Sequence, residues 1–320
     1  MPAPQRVRPL TPPADEAGPP EGVRAPGEEG RAPGEEARPR DEARPSADEA
    51  RRPDEAGEAW PSEPSVANEP EPVLPPAVAL SPALAIPFLE RGEIEIVGRL
   101  VQASNTTLLA AVHGDVPGRG PTVAAAVHKP IRGERPLWDF PDGTLAHREV
   151  AAFLVSQASG WDVVPPTVFR ESAPAGPGML QLWVDVRDDA DVVELIRAAD
   201  PRLRRIVLFD ALVNNADRKA GHLLVRADGI IQGVDHGVTF ALEPKLRTVL
   251  WGWRGTRLAD REIKVLALLQ RALPRLQDQL ERHLGVDELA ATRARLDGIL
   301  GATRFPEPHP DWPAVPWPWY

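Results

Sequence analysis

The sequence predicts an α+β domain of two lobes, set behind a long tail that has no core of its own. Three observations predict it. Composition breaks near residue 75, where Pro, Glu, Ala and Arg give way to apolar, β-branched segments. Residues 93–184 read as strands around one helix, whereas 185–300 read mainly as helices. Between 209 and 240 an apolar run, a polar loop and an acidic turn follow one another in a hairpin-like order.

The tail comes first. Residues 1–75 hold 17 Asp and Glu against 9 Arg and no Lys, and Arg24–Glu29 recurs at Arg31–Glu36. With almost no aromatic or β-branched residues, such a segment cannot bury enough surface to offset chain entropy, so disorder is expected. The net charge of −10 belongs mostly to it; the rest of the chain carries −2 and offers no basic face for nucleic acid. There is no cysteine, which excludes disulfides and thiolate metal sites. No run of about 18 apolar residues exists to span a membrane, and residues 1–30 lack the pattern of a signal peptide. A cytoplasmic protein is expected.

The domain proper is expected over 76–300, with a small lobe at about 93–184, a large lobe at about 185–300, and a Pro- and Trp-rich tail at 301–320. Residues 76–92 predict a short helix. Strands are expected around Ile94–Val101, Thr107–Val112 and Val123–Val127, the last delivering Lys129, with Gly114–Pro121 as a flexible hairpin loop. Thr144–Ser159 has a helical period, and Gly160 is a C-terminal stop. Val163–Phe169 and Met179–Val184 predict two further strands, the first limited by Pro165-Pro166. A linker with a short helix covers Asp185–Ala199. Asp200-Pro201 opens a helix to Val213. Amphipathic helices are expected at 259–272, 274–284 and 286–300. Phe305–Tyr320 cannot be regular structure; its tryptophans predict packing onto the body or a partner.

The chemistry concentrates in Phe209–Phe240. Phosphoryl transfer needs one carboxylate to orient an acceptor hydroxyl and a second group to hold a metal on the phosphates. In kinase-like folds these appear as D-x-x-x-x-N and, after a hairpin, D-x-G. Asp217 and His222 have the first spacing, and Asp235-His236-Gly237 has the second form. Here the sequence resembles the phosphatidylinositol 3-/4-kinase-like catalytic domains, whose loop reads D-R-x-x-x-N. It is similar in particular to an actinobacterial family related to them, over roughly Glu93–Leu258. The resemblance implies a two-lobed protein-kinase-like fold, ATP as a ligand with Mg²⁺ or Mn²⁺, and transfer to an acceptor that the sequence does not identify.

The roles follow residue by residue. Lys129 and Glu149 would position ATP. Ser104, Asn105 and Thr106 form a small polar turn where such kinases cover the phosphates, although no Gly-rich loop is present. Gln181-Leu182-Trp183-Val184 would join the lobes beside adenine, with Trp183 as a stacking or core residue. Asp217 would be the base, Lys219 would balance charge on the moving phosphoryl group, and Asp235 would hold the metal. His222 departs from the expected Asn. Imidazole is a poor Mg²⁺ ligand, so the metal rests mainly on Asp235, or Asn215 helps, or Mn²⁺ is preferred, or catalysis is lost. Arg148 is an alternative partner for a phosphate or carboxylate. Trp138 and Phe140 form a lid, an acceptor wall or a packed loop. An alternative reading is an inactive, nucleotide-binding pseudokinase, and a second is an interaction protein working through its tails.

Overall fold

The computed structural model describes residues 75–100, 105–187 and 189–320. The predicted tail, and any partner it takes, lie outside the described residues. The remaining chain is mixed α+β, built around an antiparallel sheet of five strands and a helical layer.

Helix α1 (Pro82–Arg91) starts with Pro at its first turn and buries Ala85, Phe88 and Leu89. Strands β1 (Glu93–Arg99), β2 (Leu108–Val116) and β3 (Gly120–Pro130) form a meander, and β4 (Thr167–Arg170) and β5 (Gly178–Leu182) complete the order β1-β2-β3-β5-β4. Every pairing is antiparallel. β3 is the central strand. Its run Ala124-Ala125-Ala126 is fully buried, which small side chains allow between two packed faces. α1 closes one side of the sheet through Val112, Val116, Val168, Leu180 and Leu182.

Helix α2 (Leu145–Ser159) crosses behind β4 and β5. Gly160 ends it at φ +68°, the left-handed conformation that glycine adopts without a Cβ penalty. The second core gathers Phe153, Val155, Val163, Phe209, Leu212, Phe240, Leu266, Leu269, Leu296 and Phe305. It is contributed by α2, α4 (Arg204–Val213), α5 (Asp260–Ala272) and α7 (Val286–Ala302), with the short α3 (Val192–Arg197) and α6 (Gln277–Leu280) at its edge. Each fully buried large apolar side chain of this kind contributes about 1.5–3 kcal/mol of transfer free energy. Strands β6 (Leu223–Val225) and β7 (Ile231–Gly233) form a separate hairpin.

Three expectations need correction. Gly114–Pro121 is mostly strand: β2 and β3 pair as far as Val116 opposite Gly120, and only the intervening turn is loop. Residues 274–284 are not one amphipathic helix, because Pro274 holds the chain in a 3-10 turn before the single turn of α6. The helix from Asp200 begins as a 3-10 turn, with Asp200 accepting from the Arg202 N–H, and is α-helical only from Arg204.

Candidate active site

Lys129 is the penultimate residue of β3, opposite Met179 of β5. Gly178 is required there: a Cβ on it would sit 2.2 Å from the Lys129 carbonyl oxygen. The Lys129 ammonium donates to Glu149 Oε1 at 2.6 Å and to Asp235 Oδ1 at 2.7 Å. Glu149 stands on α2, where its second oxygen accepts the His236 backbone N–H at 2.9 Å. One buried carboxylate thus ties the sheet to the D-x-G turn. α2 is itself anchored. Glu134 accepts the Leu145 and Ala146 N–H groups at its start, a charge-assisted cap, and Arg148 donates to the Thr239 carbonyl and to Glu288. Arg148 is 1% exposed and fully engaged, so it is no partner for a ligand phosphate.

The loop 214–222 is shaped by buried polar groups. Asn214 ends α4 at φ +54°, its amide donating to the Ala241 and Glu243 carbonyls and its oxygen accepting from Lys245 N–H. Asn215 is fully buried. It donates to Asp210 and accepts the Asp217 N–H, and therefore shapes the loop instead of reaching a metal. Arg218 and Asp210 are both 0% exposed and paired in a bidentate fork at 2.8 and 2.9 Å. The same guanidinium donates to the Val234 carbonyl at 2.8 Å and to His236 Nε2 at 2.7 Å. His236 is therefore neutral, with its proton on Nδ1.

With Arg218 turned inward, Asp217 and Lys219 turn outward and pair at 3.1 Å. His222 Nε2 lies 3.3 Å from Asp235 Oδ2. Asp235 holds φ +62°, an uncommon conformation for a side-chain-bearing residue and one that clusters at functional sites. The charges are polarised accordingly. Burial opposes the Lys129 charge, but Asp235 and Glu149 outweigh it and hold the ammonium's pKa above its usual value. Lys129, against some desolvation, holds Asp235 well below the usual carboxylate range. Burial raises Asp217 above its ordinary value, Lys219 opposing. Burial lowers His222 to about 4, so its imidazole is uncharged at neutral pH.

The other expected residues are placed as follows. Ser104 lies outside the described residues. Asn105 accepts the Arg135 N–H and Thr106 N–H donates to the Gly133 carbonyl, so this turn is fastened to the 133–135 segment. Gln181 is buried in β5 and donates to Thr167. Trp183 follows β5, half-buried, and its N–H donates to the Ala125 carbonyl. Trp138 is 86% exposed, over the Lys245 ammonium, which Asp139 also holds at 3.1 Å.

Sequence reasoning missed Arg218, Glu134 and His236. The signal for Arg218 was present: Asp210 is the one charge on an apolar helix turn, eight residues before an arginine. It also missed where the last segment docks. Ala314 accepts from the Thr248 N–H and the Trp251 indole, and the Trp319 carbonyl accepts the Ala220 N–H within the candidate loop. A cavity of about 570 Å³ beside Trp161, Arg202, Arg205 and Glu262 shares no residue with this cluster, and these charged groups are already paired within the chain.

No protein-family model matches the chain. Among solved structures it is similar to hydra Fam20 with sugar, at 18% identity over 68% of this chain and 86% of that one, with a TM-score of 0.38. It is 41% identical over 266 residues to Protein Rv2133c of Mycobacterium tuberculosis, covering 72% of this chain and 93% of the mycobacterial one. The chain belongs to the family of that protein.

Proposed function

We propose that this protein is an ATP-dependent phosphotransferase of the phosphatidylinositol 3-/4-kinase-like type, on a two-lobed kinase-like fold, with an acceptor of unidentified class. The observation that carries the reading is Lys129, held at once by Glu149 on α2 and by Asp235 of the D-x-G turn. Lysine, strand and helix carboxylate are the arrangement that fixes nucleotide phosphates, and the second carboxylate is the one expected beside them. In the reaction the acceptor hydroxyl attacks the γ-phosphorus, its proton passes to Asp217, and ADP leaves. Lys129 would shift from Asp235 to the phosphates, and Lys219 would balance charge on the transferred group. A base needs a pKa drawn toward working pH, and burial moves Asp217 in that direction. Because Gln181 and the Trp183 N–H are engaged within the chain, adenine recognition would fall to backbone beyond Trp183. A divalent ion supplies charge neutralisation on the phosphates when bound; of this chain's residues, Asp235 and His222 would face it.

A second reading, a nucleotide-binding protein without turnover, is favoured by His222 where an oxygen ligand is expected. Two measurements on the same proteins, thermal stability and ADP release, separate the two. Thermal stability of the full chain is measured with ATP and either Mg²⁺ or Mn²⁺, for the native sequence, Lys129→Met, Asp235→Ala and Asp217→Ala. A bound ligand at a hundredfold excess over its Kd adds about 2.7 kcal/mol. We expect that shift in the native protein and in Asp217→Ala, and its loss in the other two. ADP release lost in Asp217→Ala with binding retained supports transfer. ADP release absent from the native protein, with the shift present, supports the second reading. No shift under any condition refutes both.

Among the described residues no helix is long and apolar enough to cross a membrane.

A further inference from the structure

We propose that the metal position selects Mn²⁺ over Mg²⁺ and that His222 is the residue that sets this preference. The inference rests on the nucleotide reading above.

The position is defined by two side chains, with Asp235 Oδ2 and His222 Nε2 3.3 Å apart. Among the described residues no three His, Cys, Asp or Glu side chains converge as a metal site. Of its His, Asp and Glu side chains, these two would face the ion, with nucleotide phosphates and water completing the shell. With so few protein donors, their chemistry decides the preference. Mg²⁺ demands near-octahedral oxygen and gives up water reluctantly, so an imidazole nitrogen disfavours it; Mn²⁺ is likewise suited by carboxylate and water but, as a first-row transition ion, also takes a nitrogen donor.

Among the described residues, most of the neighbouring side-chain oxygens are already engaged. Both Glu149 oxygens are engaged, one by Lys129 and one by the His236 N–H. The Asn215 amide is buried between Asp210 and the Asp217 N–H. Asp217 is held by Lys219 through Oδ2.

The imidazole is ready to make the exchange. Lys219 N–H approaches His222 Nδ1 at 3.5 Å, so Nε2 carries the proton and donates to Asp235. To ligate through Nε2 the imidazole would carry its proton on Nδ1, giving up both the Nε2–H contact with Asp235 and the approach of the Lys219 N–H to Nδ1. Both contacts are long, at 3.3 and 3.5 Å, beyond the usual hydrogen-bond range, so each contributes little to holding the present tautomer. The competing explanation is a plain His–Asp hydrogen bond that only steadies the D-x-G turn.

The test uses the full chain with a non-hydrolysable ATP analogue and Mn²⁺, read by electron paramagnetic resonance. Pulsed spectra of the native complex are expected to show nitrogen coupling to the bound Mn²⁺ that changes when histidine is labelled with ¹⁵N. Mg²⁺ is then titrated in, and we expect the Mg²⁺:Mn²⁺ ratio for half-displacement to be at least tenfold higher for the native protein than for His222→Asn. Bound Mn²⁺ without histidine coupling, or ratios within twofold, overturns the His222 assignment and leaves the nucleotide reading standing. If neither Mn²⁺ nor the analogue binds, both are overturned. The labelling experiment needs no variant, so a folding defect in His222→Asn cannot hide the answer.

Discussion

Replacing Arg218 by Met should remove about 3–5 kcal/mol of stability, the range for breaking a buried ion pair by deleting one partner. Its guanidinium donates both bonds of the fork to Asp210, one to the Val234 carbonyl and one to His236 Nε2. Methionine fills much of the volume and makes none of these. Asp210 would keep only the Asn215 amide, inside a core where neither side chain is exposed. Against a typical total of about 5–15 kcal/mol, such a loss is at least a fifth and can reach most of it. The assay is guanidinium unfolding, with the midpoint lowered and the slope kept, since the surface exposed on unfolding is nearly the same. The double variant Asp210→Leu/Arg218→Met provides the control. Replacing both members of a buried pair by apolar residues is often neutral or stabilising, so the double variant should recover much of the loss while the loop 214–222 loses its anchor. A single-variant cost below about 1 kcal/mol, or a double variant less stable than the single, would refute the account of Arg218 as a desolvated hub.

Two further predictions follow from geometry and charge. Gly178→Ala forces a Cβ against the Lys129 carbonyl, a backbone atom that can move only with its strand; it should cost about 1–3 kcal/mol by thermal unfolding and weaken the nucleotide-induced shift, whereas an unaltered melting point and shift would show that β3 and β5 separate freely. His222 and His283 both have folded pKa values lowered by burial to about 4, below the ordinary 6.5. Between those pH values the unfolded chain binds protons that the folded chain refuses, so stability falls as pH drops from about 6.5 to 4, by up to about 1.4 kcal/mol per pH unit for each histidine. His283→Phe keeps the packing against His147 and Phe169 and should flatten that slope when denaturation midpoints are compared across the range; an unchanged slope would remove His283 from the explanation.

The parts of this protein that the sequence made legible are those carried by local patterns. α2 and its Gly160 stop, β6, α5 and α7 follow from periodicity and punctuation, and the loop and D-x-G spacing located the cluster around Asp235. What was not legible depends on pairs far apart in the chain. Nothing local distinguishes Asn215, buried beneath the loop, from a residue facing ligand. Arg148 looked available because an arginine on a helix usually is; its burial is set by Thr239 and Glu288, far along the sequence. Gly114–Pro121, rich in Gly and Pro, resembles a loop, yet the long register of β2 on β3 carries pairing almost to its tip. Gly178 has meaning only once β5 lies against Lys129.

The docking of the last segment also orders events in time. The Ala220 N–H, between Asp217 and His222, closes on the Trp319 carbonyl, and the 247–249 stretch that pairs with Asn215 and Arg218 is fastened in turn to Ala314. During synthesis the sheet, α2 and the loop leave the ribosome well before residues 314–319 do. Domains can begin to fold from the N-terminal side as they emerge, but this loop cannot gain its final hydrogen bonds until the end of the chain arrives. A truncated chain released before residue 314 would thus have its fold and its Lys129–Glu149 pair without the outer fastening of its candidate catalytic loop.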